Sequence, residues 1–122
     1  MSAKGLRVFV VEDEPMIRIL VTDLLGQLGY TTAAEAGDVD QALELAQSAE
    51  FDLAILDVNL KGRLITPVAE LIRVRELPII FATGYGAEGL PEQFRDLSAL
   101  QKPFQMEALA AMIDEVMGRR AS

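Results

Sequence analysis

Glu12 and Asp13 directly follow an apolar run at 8–11, Asp57 follows one at 53–56, and Thr83 follows one at 78–82. Lys102 comes just after the short apolar pair Ala99 and Leu100. None of these polar types suits an apolar interior unless it is paired. Gathered in one place, they amount to three carboxylates, one hydroxyl and one ammonium. Two unit charges about 4 Å apart interact by about 4 kcal/mol at an effective dielectric of about 20. Three clustered carboxylates therefore repel strongly, and one lysine cannot balance them. A hard divalent cation can. An all-oxygen donor set with no His or Cys selects Mg²⁺ (or Mn²⁺) over zinc. Such a cation beside a nucleophilic carboxylate, a hydroxyl and an ammonium makes an aspartyl-phosphate site. Metal and lysine neutralise phosphoryl oxygens while the carboxylate attacks phosphorus.

That chemistry needs elements that bring distant residues together. The runs at 8–11, 53–56 and 78–82 are short, unbroken and rich in Val and Ile, as in strands buried on both faces of a parallel sheet. The stretch 30–36 is weaker and carries Thr, which suits an edge strand; Ala99 and Leu100 mark a very short fifth strand. Between them, Ile17, Leu20, Val21, Leu24 and Leu28 follow helical spacing, with Pro15 in the first turn and Gly29 at the stop. Val39, Ala42, Leu43 and Ala46 do the same behind Asp38 as N-cap. Val68, Leu71 and Ile72 form a third stripe, entered through Thr66 and Pro67. Met106, Leu109, Ala110, Ile113, Val116 and Met117 form the last, with Gly118 as the expected stop. The stretch 86–97 has poor apolar spacing, so a short, mobile helix is expected there.

Five β-α units predict an α/β fold, a doubly wound five-stranded parallel sheet with right-handed crossovers. Ligands bind such sheets at the carboxyl ends of the strands, where all five polar residues stand.

Composition narrows the classes. The chain has 122 residues, so one domain with a core at about 6–117 is expected. Its net charge of −8 argues against nucleic acid as a partner. Without Cys or His it has no disulfide, thiol nucleophile, serine triad or histidine phosphodonor of its own. No apolar run approaches the roughly 18 residues of a membrane span, and no targeting segment is visible, which predicts a cytoplasmic protein.

The stretches VFVVEDEP at 8–15, LAILDVNL at 53–60, IIFATGYG at 79–86 and QKPF at 101–104, in this order and spacing, resemble a response-regulator receiver domain of two-component signalling. DVNLKG and PIIFATGYG also resemble the single-domain FATGUY subclass. The resemblance implies a flavodoxin-like sheet of order 2-1-3-4-5. Asp57 would accept the phosphoryl group from a histidine kinase or phosphotransfer protein. Asp13 would bind Mg²⁺ directly, Glu12 through water, and Asn59 through its backbone carbonyl. Thr83 would hydrogen-bond a phosphoryl oxygen, and Lys102 would pair with Asp57 and then with the phosphoryl group. Asn59 and Tyr85 would tune hydrolysis. The bond between Lys102 and Pro103 would be cis, as X-Pro bonds permit. Output would pass to a downstream protein partner from a monomer or weak homodimer, with Leu90, Phe94, Leu97 and Leu100 as a candidate docking face.

Two positions depart from the family pattern. Ala99 stands where most receivers carry the switch aromatic, so Tyr85 is the candidate to take over part of that role. Lys61 stands where a proline is common.

Alternatives come from other classes. A small aspartyl phosphatase of the haloacid-dehalogenase type would want an acid two residues after the nucleophile, where this chain has Asn59. A phosphorylation-independent pseudo-receiver would keep the fold and lose the chemistry, which Ala99 keeps open. Gly84, Gly86 and Gly89 match G-x-G-x-x-G, but in the fourth unit and with no acid about 20 residues on, so the match is read as a coincidence of a Gly-rich loop.

Overall fold

Alternation along the buried strands decides which helix covers which face. The computed structural model describes the chain apart from residues 1–4, 85–89, 91, 95–96, 103 and 122, and apart from the side chains of residues 59 and 119–121. The chain runs β1 (Arg7–Val11), α1 (Pro15–Gln27), β2 (Thr31–Ala36), α2 (Val39–Ser48), β3 (Leu53–Asp57), β4 (Asn59–Leu60), β5 (Arg63–Leu64), α3 (Thr66–Val74), β6 (Ile79–Thr83), a 3₁₀ turn (Glu92–Phe94), β7 (Ser98–Gln101) and α4 (Met106–Ala121).

Five strands form a parallel sheet of order β2-β1-β3-β6-β7. With the β4–β5 hairpin set aside, this is the expected 2-1-3-4-5 order. Successive side chains of a strand face opposite ways. Val8, Val10, Leu53, Ile55, Ile80 and Ala82 face one side, packed with Val21 and Leu25 of α1 and Leu109, Ile113 and Val116 of α4. Phe9, Val11, Ala54, Leu56, Ile79 and Phe81 face the other, packed with α2, α3 and Phe94. Both faces are covered, which explains why β1, β3 and β6 read as unbroken apolar runs. β2 lies at the edge with alternating burial, and its pairing slips between Val8 and Phe9, in keeping with its weaker sequence.

The helix boundaries have local causes. Pro15 opens α1, and Gly29, at φ 90°, takes the left-handed position after its last turn. The Asp38 side chain accepts from the N–H of Gln41 at 2.8 Å. Two expectations are corrected. Helix α4 does not stop at Gly118 but runs on to Ala121, since Gly inside a helix costs only about 1 kcal/mol and Leu109, Ile113 and Val116 already anchor it. Leu90, Phe94 and Leu100 are buried and Leu97 is half-buried, so the docking face expected from them is not at the surface. Phe94 instead packs on Phe81, ring centroids 5.5 Å apart. Residues 85–89, expected to be mobile, lie outside the described residues.

Ile113 is fully buried between α4 and the sheet, whereas Met16 on α1 is 80% exposed. Ile113→Ala should cost about 2–5 kcal/mol in urea denaturation, and Met16→Ala no more than about 0.5 kcal/mol.

Candidate functional site

Parallel register brings the polar strand ends to one rim. Val11 pairs with Leu56, Asp57 with Ala82, and Thr83 with Gln101. Glu12, Asp57, Thr83 and Lys102 therefore follow one another across four adjacent strands, spaced about 4.8 Å apart in the hydrogen-bonding direction. Lys102 leaves β7 with its N–H on the Thr83 carbonyl at 2.8 Å. Its long side chain reaches back across β6. The ammonium donates to Glu12 Oε1 at 2.7 Å and to Asp57 Oδ2 at 3.1 Å.

Carboxylate oxygens of Glu12, Asp13 and Asp57 lie within 4.8 Å of one another. Glu12, Asp57 and Thr83 are the polar side chains among the buried residues described. The three acids offer oxygen donors only, at a spacing one cation can span, so the donor set fits a hard divalent ion. Asn59 opens β4, two residues past Asp57, with its backbone paired to Leu64. Its side chain lies outside the described residues, as do Tyr85 and Pro103. Ala99 is half-buried on β7 and pairs with Phe81.

The charges disturb one another. Burial pushes the Glu12 carboxyl up to about 7; the Lys102 ammonium and the Glu14 N–H pull it down, and the charge of Asp57 adds to the rise. Burial also opposes the Lys102 ammonium, but its hydrogen bond to Glu12 and the charge of Asp57 outweigh that and hold it above the ordinary lysine value. Asp13 is held below the usual carboxylate range: burial works against it, but the N–H of Lys61, the contact with the Glu12 side chain, its own main-chain N–H and the charge of Lys102 together outweigh burial.

Other contacts were not foreseen. Arg18, one turn into α1, donates from Nη1 to the Glu12 carbonyl at 2.7 Å and pairs through Nε with Glu35 at 3.4 Å. It crosses Gly37 so closely that a Cβ there would lie 2.9 Å from Nη1. The Lys61 N–H donates to Asp13 Oδ2 at 3.0 Å. Arg18 reads in sequence as an exposed helix cation, and main-chain donors leave no mark on side-chain identity.

Residues 8–114 match the response regulator receiver domain model. The chain belongs to that family. It is 36% identical over 117 residues to the transcriptional regulatory protein PdtaR of Mycobacterium tuberculosis, covering 93% of this chain and 57% of PdtaR. The chain thus spans little more than half of that relative's length. Among solved structures, SdrG from Sphingomonas melonis Fr1 is similar at 39% identity and TM-score 0.83, over 96% of this chain and 99% of that one. The receiver domain of sensor histidine kinase PA1611 from Pseudomonas aeruginosa PAO1, solved with a magnesium ion coordinated in its active site cleft, is similar at 26% identity and TM-score 0.76, over 93% and 98% of the two chains. Receiver domains are signalling modules, and the flavodoxin-like order of this sheet is theirs.

Beside the site, an apolar cleft of about 220 Å³ is lined by Ile17, Leu20, Val21, Phe104 and the stem of Lys102. Met16, Ile19 and Leu20 expose apolar side chains along α1 next to it. Among the described residues no helix is long and apolar enough to cross a membrane.

The raised Glu12 carboxyl gives a signed prediction for the metal-free protein. A carboxyl whose pKa rises on folding contributes stability that is complete below its ordinary value of 4.5 and is lost as pH climbs through about 7. Urea midpoints should therefore fall between about pH 4.5 and about pH 7, and Glu12→Gln should flatten that fall. An equal slope in both proteins would place the titrating group elsewhere.

Proposed function

We propose that this receiver domain is a phosphorylation-operated switch in which Asp57 takes a phosphoryl group from a phosphohistidine donor. The observation that carries this reading is the ammonium of Lys102, which lies on Asp57 and Glu12 within the same cluster of three acids. An Asp57 oxygen attacks phosphorus in line with the donor's N–P bond. That bond breaks, its electron pair returns to the imidazole of the donor, and an acyl phosphate forms on Asp57. Lys102 Nζ, already 3.1 Å from Asp57, stays within reach of the new phosphoryl oxygens. Thr83 ends the neighbouring strand and presents its hydroxyl as a donor to the same group. Glu12, Asp13, Asp57 and the backbone carbonyl of Asn59 are the residues assigned to hold Mg²⁺ (or Mn²⁺). Such an ion, when bound, supplies Lewis-acid neutralisation of phosphoryl oxygens.

The donor is a histidine kinase or phosphotransfer protein, docked on the apolar cleft and the exposed face of α1 beside Lys102. Output passes to a downstream protein partner, away from nucleic acid and membrane, from a cytoplasmic monomer or weak homodimer. Residues 6–117 form the core of a single receiver domain of the FATGUY subclass; the stretch 78–86 supports this. Tyr85 takes part of the role that an aromatic at position 99 has in most receivers.

Incubation with Mg²⁺ and acetyl phosphate, followed by intact-mass measurement, tests the reading. A single phosphoryl adduct should form, fail to form in Asp57→Asn, and need Mg²⁺. Mg²⁺ should raise the melting temperature of the wild type and leave Asp13→Asn unchanged. Absence of the adduct from the wild type would favour a phosphorylation-independent pseudo-receiver, and rapid multiple turnover would favour a phosphatase.

A further inference from the structure

The segment between β3 and α3 forms a hairpin that the apolar pattern does not announce. β4 and β5 pair antiparallel, Asn59 with Leu64 and Leu60 with Arg63, and Lys61 and Gly62 close the turn. Both turn residues have positive φ, 50° and 82°. That combination marks a turn whose twist matches its flanking strands. Gly62 adopts it freely, whereas a lysine there is uncommon. Leu60 is buried, and the Ile65 N–H donates to the Val58 carbonyl at 3.1 Å, so the base of the hairpin is tied to the core. The turn aims the Lys61 N–H across 48 residues of sequence at Asp13 Oδ2, 3.0 Å away. A proline at 61 has no N–H to donate, and its φ is fixed near about −65°.

We propose that this hairpin is a positioning device for Asp13. The Lys61 N–H holds one carboxylate oxygen, so that the other is presented to a divalent cation before the cation arrives. This rests on the reading of Glu12, Asp13 and Asp57 as a cation site. A carboxylate held by a main-chain donor gives up its rotational freedom on folding, so less ordering remains to oppose binding. Groups that orient a metal ligand from behind typically change affinity by about 10–100-fold when lost.

Two substitutions separate the donor from the turn. Lys61→Pro removes the N–H and forbids the positive φ; Lys61→Gly keeps both. MgCl₂ titrated into each protein by calorimetry should show Lys61→Gly within about twofold of wild type and Lys61→Pro weakened at least about tenfold. In the metal-free wild type the Lys61 amide should exchange slowly with solvent. That protection should vanish in Asp13→Ala, while the Ile65 amide keeps its own. The exchange measurement decides the matter even if Lys61→Pro fails to fold. Wild-type Mg²⁺ affinity in Lys61→Pro, or Lys61 protection that survives Asp13→Ala, overturns the device and leaves the cation site standing. A merely structural hairpin would lower the urea resistance of Lys61→Pro without changing its Mg²⁺ affinity. A wild type that binds no Mg²⁺ removes the cation site and the device together.

Discussion

Like charges are crowded at one rim of a sheet that is otherwise apolar, and the rest of the molecule is arranged around that fact. Glu12 and Asp57 are buried, Asp13 stands beside them, and one ammonium faces the group. Carboxylates this close would separate if their backbones could move. They cannot, because each ends or closely follows a strand hydrogen-bonded on both sides and packed between two layers of helices. The two clusters of apolar side chains hold the acids against their own repulsion.

Each supporting contact answers part of that repulsion. Lys102 spans two acids on different strands. The Glu14 N–H donates to Glu12 Oε2 at 3.1 Å, and the Lys61 N–H to Asp13. Arg18 acts one bond further back, on the Glu12 carbonyl, fixing the main chain from which that side chain leaves. Gly37 leaves room for the guanidinium to pass. Main-chain donors are well suited to this work because their direction is set by the fold and costs no side-chain order.

The fold was legible because its signals are strong and redundant. Unbroken runs such as 53–56 belong to strands covered on both faces, and Pro15, Asp38 and Gly29 mark helix boundaries by known stereochemistry. The rim followed from topology alone, since strands running the same way must end on the same side. What stayed hidden was set by short-range geometry. A hairpin with two residues in each strand has too few positions to show alternation, and Lys61 in the left-handed region is chosen by context rather than propensity. Leu90 and Phe94 sit in a stretch with weak periodicity, so their burial could not be told from exposure, and Leu100 lies in a strand too short to show which of its faces is covered. Gly118 reads as a stop because Gly often ends helices, yet packing of the preceding turns overrides it.

Charge balance favours the proposed phosphoryl chemistry at this rim over a permanent structural role. With all three acids ionised against one ammonium, the cluster carries an excess of two negative charges, the amount one divalent ion cancels. The phosphoryl group of the proposed function would then bring negative charge back to this cluster. A site made neutral by paired side chains would respond weakly to that addition. Here Lys102 is shared between Glu12 and Asp57, and the charge of Asp57 raises the proton affinity of Glu12, so a new charge on Asp57 would bear on the bonds that Lys102 and Glu12 make. Thr83 and Lys102 are joined main chain to main chain at 2.8 Å, which links a change at Asp57 to the ends of both β6 and β7. Under the proposed function, the electrostatic tension that the fold contains is what would let a small covalent change be felt by the surface around it.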